Sequence, residues 1–217
     1  MSKVPTWLVK HVGALLILCG VGAGGYFAND AATSQAQQNE YVQAVASDTD
    51  TTMAVKLAMV LGSYYESSGK HIGTPYVDKV GRGQPLTVCN GITGAGVIAG
   101  KWYSPAACYQ LEKGRYLAAE RSAKRLFLRW GTYDDFVKAT FIDFIHNKGE
   151  ANLSTSTLLR KANAGDLEGS CRENPRWNKG TVKGVQVILP GLQLRGDAND
   201  EICRMWRVPT NQSSKGE

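Results

Sequence analysis

Apolar residues recur at Met53, Leu57, Val60 and Leu61, the spacing of one helical face, so the chain predicts a helix from Thr52 to Glu66. The pattern then changes. Between Gly73 and Gly94 the short runs "TPYVD" and "PLTVC" are separated by Gly81-Arg82-Gly83, which predicts strands joined by turns. Beyond Gly94 the spacing is helical to the end. Ser104-Pro105 is a cap and first-turn pair opening a helix to about Trp130. Thr132 caps "YDDFVKATFIDFIHN", where Phe136, Val137, Thr140, Phe141, Phe144 and Ile145 form a broad apolar stripe. Ser154 caps "TSTLLRKANAG", and Asp166 caps a short helix around Cys171. Last, "GLQLRGDANDEICRMW" places Leu194, Ala198, Ile202 and Met205 on one face. No repeat is visible. The pattern implies an α+β fold with a small β lobe and a larger helical lobe.

The N-terminal part reads differently. Val12 to Ala28 carries no charge, follows Lys3 and Lys10, and precedes the first acidic residue, Asp30. As a helix it is roughly 25 Å long, near the short end for a membrane span. Gly13, Gly20, Gly22, Gly24 and Gly25 weaken it further, and no clean small-residue cleavage site follows. We therefore expect residues 1–28 to be a weak signal-anchor, with the N-terminus cytoplasmic and the remainder across the membrane. Residues 29–52, rich in Ala, Gln, Ser, Thr and Asp without Lys or Arg, read as a solvated linker with a helical turn through "QAQQNEYVQAVA". Residues 53–210 form the folded domain, and 211–217 a tail.

Composition adds limits. Of 217 residues, 43% are hydrophobic and 20% charged, as in a folded globular protein. The net charge of +6 is concentrated from Lys101 to Arg129, which fits either a solvated helix face or attraction to a polyanion. No helix-turn-helix or zinc-finger spacing accompanies it, so nucleic acid is not an expected partner. Cys89, Cys108, Cys171 and Cys203 show no CxxC pattern, and His11, His71 and His146 are scattered, so neither a metal nor another cofactor is expected. Cys19 lies inside the apolar run. The other four suit two disulfides in an oxidising compartment, with three pairings open.

Glu66 stands at the end of a helix, where a cation suits the dipole better than an anion. Asp78 follows on a turn, and Thr87 lies beyond it. Two carboxyl groups flanking a β region suggest glycoside hydrolysis, which needs one acid for the leaving oxygen and one carboxylate for water or direct attack. That pair is common in proteins and carries little weight alone.

The flanking sequence is more specific. Glu66, "PYVD" with Asp78 and "LTVCNGITG" with Thr87 resemble the active-site region of the phage-type lysozymes, glycoside hydrolase family 24. "FIHNKG", "STSTLLRKANAGD", "RWNKG" and "LPGLQLRGDANDEIC" continue the resemblance in the same order. The weak N-terminal span resembles those of signal-anchor-release endolysins of phages of Gram-negative bacteria.

The resemblance implies a lysozyme-like two-lobed fold and a monomeric muramidase acting on peptidoglycan glycan strands. Glu66 would be the general acid, Asp78 the residue handling the attacking water, and Thr87 its helper. Asn147 and His71 would touch substrate. The family's lobe arrangement favours Cys89–Cys108 and Cys171–Cys203 as disulfides. The enzyme would sit at the host inner membrane through residues 12–28, its domain in the periplasm, and later be released. Inversion at the anomeric carbon, described for the family, requires carboxyls about 6.5–9.5 Å apart. A silent peptidoglycan-binding module and a lytic transglycosylase are the alternatives. Two departures stand out. The Glu66–Asp78 and Asp78–Thr87 intervals are a few residues longer than in most relatives, and Ile92 replaces a common histidine in "GITG".

Overall fold

Two stretches of different hydrophobic period fold into two lobes in the computed structural model, which describes residues 29–67, 70–78, 83–182 and 184–205. Helices α1 (Asn29–Ser47) and α2 (Met53–Ser67) lead into an antiparallel sheet of β1 (Tyr76–Val77), β2 (Leu86–Val88) and β3 (Ile92–Thr93), in that order. Helix α3 (Pro105–Leu126) returns the chain to a helical lobe of α4 (Asp135–Lys148), α5 (Glu150–Ser154), α6 (Thr157–Asn163), α7 (Leu167–Cys171) and α8 (Pro190–Cys203). A second hairpin, β4 (Lys179–Val182) with β5 (Val185–Ile188), stands between α7 and α8. This is an α+β fold with a helical majority.

Helix α4 is the centre of the larger lobe. Val137, Phe141, Ile142 and Ile145 are buried in it, and it packs against α2, α3 and α8. Burial of each such side chain contributes about 1.5–3 kcal/mol. Val55 and Met59 from α2, Tyr116 and Ala123 from α3, and Leu153 and Leu158 complete this core. The β lobe has its own core of Val88, Ile92, Val97 and Tyr103 around the Cys89–Cys108 disulfide. Ile92 thus fills apolar space in the β lobe. The second disulfide, Cys171–Cys203, joins α7 to α8.

Local signals set most helix ends. The Ser104 hydroxyl accepts from Ala107 N at 3.1 Å, and Asp166 accepts from Gly169 N at 2.8 Å. Two starts are shifted. Asp134, not Thr132, caps α4 by accepting from Val137 N, and Ser156, not Ser154, caps α6 by accepting from Leu159 N. Helix α3 stops at Leu126 because Phe127 turns to an extended conformation and stacks on Phe141, ring centroids 4.1 Å apart.

Three expectations need correction. The stretch read as a linker is mostly helix α1, and its Tyr41, Val42 and Val45 are buried in the main core against α2 and α3. Its polar composition concealed one apolar face. Second, the chain after Gly94 is not all helical. Gly184, at φ +81°, turns β4 into β5, a hairpin whose valines remain largely exposed. Third, Leu194 is 61% exposed, while Arg195 and Asn199 on the same helix are buried beside Ala198 and Ile202. Helix α8 is rotated toward a buried carboxylate on α4. The anchor at 1–28, the tail at 211–217 and parts of the lengthened intervals, 68–69 and 79–82, lie outside the described residues. Among those described, no helix is long and apolar enough to cross a membrane.

Candidate active site

Helix α2 carries Glu66 in its last turn, and burial of Val55 and Met59 fixes that helix against the core. One turn earlier, Gly62 gives the close approach the site requires. A Cβ there would collide with the Tyr116 hydroxyl and lie 3.4 Å from Arg195 Nη2. Arg195 then supplies the cation that the helix C-terminus favours. Its Nη1 donates to Glu66 Oε1 at 2.5 Å. Nη2 and Nε donate to the two oxygens of Asp143 at 2.7 and 3.0 Å. Asn199 Nδ2 adds a bond of 2.7 Å to Asp143 Oδ2.

Asp143 is fully buried and the Arg195 side chain is 5% exposed, whereas the Glu66 side chain keeps 30% of its surface. Burial opposes the guanidinium's charge, but Asp143, followed by Tyr116 and Glu66, raises the Arg195 pKa still further above its ordinary value. The pair and its hydrogen bonds compensate charges that would be costly alone. Asp143, Arg195 and Asn199 were not singled out from sequence. Asp143 interrupts the apolar run "FIDFIH", and that interruption was the available signal.

The β lobe presents the other residues through backbone geometry. Tyr76 pairs with Thr87 and Val77 with Leu86, so Asp78 directly follows the last β1 pair. Asp78 N donates to the Pro85 carbonyl at 3.0 Å. The Thr87 hydroxyl, in the buried central strand, donates to the same carbonyl at 3.1 Å. Asp78 and Thr87 are therefore brought together around Pro85.

A cavity of about 500 Å³ is lined by Glu66, Asn90, Arg115, His146 and Asn147, among others. It unites Glu66 with Asn147; Asp78 and Thr87 are not among its lining residues. His71 is placed elsewhere. Its Nε2 lies 2.7 Å from the Tyr103 carbonyl, and its ring meets the Trp102 ring edge-on. Behind the cavity-lining Asn90, the buried Glu112 carboxylate accepts from Asn90 N at 3.0 Å, Asn90 Nδ2 at 3.1 Å and the Tyr41 hydroxyl at 2.6 Å. Burial raises the Glu112 pKa, against the lowering effect of those bonds. Arg115 Nη1 holds the adjoining Gly91 carbonyl at 2.8 Å. Other cations of the basic stretch are engaged as well: Lys113 pairs with Asp48, Lys124 with Glu120 and Arg125 with Glu150. Cys89 and Cys108 lie near Glu112, but as a disulfide they offer no thiolate ligand.

The chain is 33% identical over 132 residues to the SAR-endolysin of Bacteriophage PS119, covering 61% of this chain and 73% of the relative. It is 36% identical over 133 residues to the SAR-endolysin of Escherichia phage Mu, covering 56% and 72%. Among solved structures, the active form of the P1 phage endolysin Lyz matches with a TM-score of 0.61 at 16% identity, over 87% of this chain and 99% of that one. The endolysin from Escherichia coli O157:H7 phage FAHEc1 matches with a TM-score of 0.60 at 19% identity, over 68% and 90%. At these identities the structural likeness establishes the fold. The family model described as Phage lysozyme matches residues 70–199, beginning just after Glu66 and including Asp78, Thr87, Asn147 and Arg195. Because that match runs from the β lobe into the last helix and spans more than half of the chain, the protein belongs to the phage lysozyme family.

Proposed function

We propose that the protein is an endolysin that hydrolyses the β-1,4 bond between N-acetylmuramic acid and N-acetylglucosamine. The observation that carries this reading is Glu66 on the wall of a sizeable cavity, oriented by a buried arginine that is itself clamped by Asp143. Arg195 engages Oε1, so the proton for catalysis is carried on Oε2. Glu66 gives that proton to the glycosidic oxygen as its bond to the anomeric carbon breaks. Water adds its hydroxyl to that carbon and passes its proton to Asp78, with the Thr87 hydroxyl helping to place it. Solvent then restores both carboxyls. Asn147 lines the same cavity and contacts the glycan. For His71, the bond to Tyr103 favours a role in supporting the β lobe.

Replacing Glu66 with Gln keeps the shape but removes a useful proton donor, so lysis of purified peptidoglycan should fall by about 10²–10⁴-fold. A Glu66→Gln variant that clears peptidoglycan normally would defeat the assignment. Mass spectrometry of wild-type digests should show hydrated reducing ends; anhydro ends would identify a transglycosylase instead.

The run from Val12 to Ala28 supports a further part of the reading: tethering at the inner membrane with the domain in the periplasm, followed by release of the intact chain. Its glycines make insertion only modestly favourable, so loss of the membrane potential can release it. Fractionation before and after an uncoupler should move full-length protein from the membrane to the periplasm. A shortened product, or full-length protein that stays in the membrane, would contradict this.

A further inference from the structure

His146 is half-buried and lines the Glu66 cavity, yet the mechanism above does not use it. Its ring lies flat on the Tyr116 ring, with centroids 3.9 Å apart and planes 11° from parallel. Tyr116 is itself in the core, so the imidazole's orientation is fixed from behind. The Nδ1 atom is enclosed and has no hydrogen-bond partner, while the residue lines the cavity beside Asn147. A buried N–H without an acceptor is among the rarest arrangements in folded proteins. Nδ1 is therefore the bare nitrogen, and the neutral ring carries its proton on Nε2.

We propose that His146 is a specificity-determining hydrogen-bond donor, presenting Nε2–H to the carbonyl oxygen of an acetamido group on the glycan. The inference rests on the muramidase reading and names the chemical group that one wall of that site recognises. An acetamido carbonyl is a good acceptor and carries no charge. The neighbouring Asn147 side chain can both donate and accept, which suits an amide. The surroundings keep His146 in the required neutral form. Burial lowers its pKa most. Asp143 on its own helix and Glu66 on α2 pull upward, while Arg195 on α8 and Arg115 on α3 push downward. Protonation would also place an N–H at enclosed Nδ1. The donor is thus available without a positive charge that would favour carboxylates over amides.

The test compares cleavage of N-acetylated and chemically de-N-acetylated soluble glycan strands by the full chain and by His146→Phe, His146→Gln and His146→Asn. Phe retains a ring against Tyr116 but cannot donate, so the preference for acetylated strands should shrink about tenfold, mainly through KM. The Gln amide nitrogen reaches the Nε2 position and should preserve most of the preference; the Asn amide falls at the Nδ1 position and should not. Nitrogen-15 NMR of the wild-type imidazole should show the Nε2-protonated tautomer. An unchanged preference in the Phe variant, equal losses in Gln and Asn, or an Nδ1-protonated ring would overturn the proposal. Should the His146→Phe variant not fold, the Gln and Asn comparison decides. Wild-type protein unable to cleave any peptidoglycan would defeat the muramidase reading itself, whereas an active enzyme with unchanged preference in these variants defeats only the role of His146.

Discussion

Glu66 stands on a cavity wall where charge is buried and compensated, whereas Asp78 and Thr87 stand in a strand pair gathered around one main-chain carbonyl. On the first, Arg195 joins three helices through side chains: α2 at Glu66, α4 at Asp143 and its own α8. On the second, the Pro85 carbonyl gathers Asp78 and Thr87, with the Cys89–Cys108 disulfide just beyond β2. The two arrangements tolerate change differently. A main-chain ladder keeps its register through many side-chain substitutions, but a buried ionic cluster fails when one member is removed.

The sharpest way to break the comparison is Arg195→Ala. It leaves the Asp143 charge buried without its partner and should cost about 3–5 kcal/mol in stability, read by denaturant unfolding. Activity should fall further than the unfolded fraction explains, because Glu66 loses its orientation. An Arg195→Ala enzyme of normal stability would show that the cluster is not the organising element. The disulfides come next. Replacing both cysteines of either pair with Ser should remove about 3 kcal/mol. Loss of Cys89–Cys108 should also reduce activity measured well below the melting temperature, since it anchors the end of β2. Loss of Cys171–Cys203 should affect stability alone.

Gly62→Ala should cost about 2 kcal/mol through overpacking against Tyr116, and should also lower kcat by displacing the Glu66 turn. Normal kcat in a folded variant would separate Glu66 positioning from this contact. The smallest effect is reserved for Asp48, which does not line the cavity. The bond from Lys113, reinforced by Tyr109, holds its carboxyl well below the usual range. A lowered folded pKa contributes stability above the unfolded value of about 3.9, and that contribution disappears as pH falls through the folded value. Asp48→Asn should thus cost about 1.5 kcal/mol at neutral pH, progressively less in acid, and leave activity unchanged. A pH-independent difference would rule out the charge as the cause.

The sequence exposed these two regions unequally. Helical spacing placed Glu66 at the end of α2, while Pro and Gly punctuation placed Asp78 and Thr87 in the small β region. Ser104 and Asp166 marked helix starts, but Thr132 and Ser154 each had a better-positioned capping residue two places on, and the choice depended on which side chain met the free N–H groups. Apolar periodicity could not see that α8 buries Arg195 and Asn199 while leaving Leu194 outside, because the attraction comes from Asp143 on a different helix. The β4–β5 hairpin was missed for the opposite reason: its valines alternate, but little burial accompanies them. Helix α1 was obscured by composition, since Tyr41, Val42 and Val45 are a narrow apolar seam among Gln, Asn and Ala.

That seam bears on reach. Helix α1 is about 28 Å long, yet it lies against the core and Tyr41 binds the same carboxylate that holds the cavity-lining Asn90. It therefore serves as a rib of the enzyme, with no slack to unreel like a leash. If residues 12–28 tether the enzyme as proposed above, the helix that follows adds no free length to that tether. Cutting the wall then becomes a matter of travel as well as chemistry.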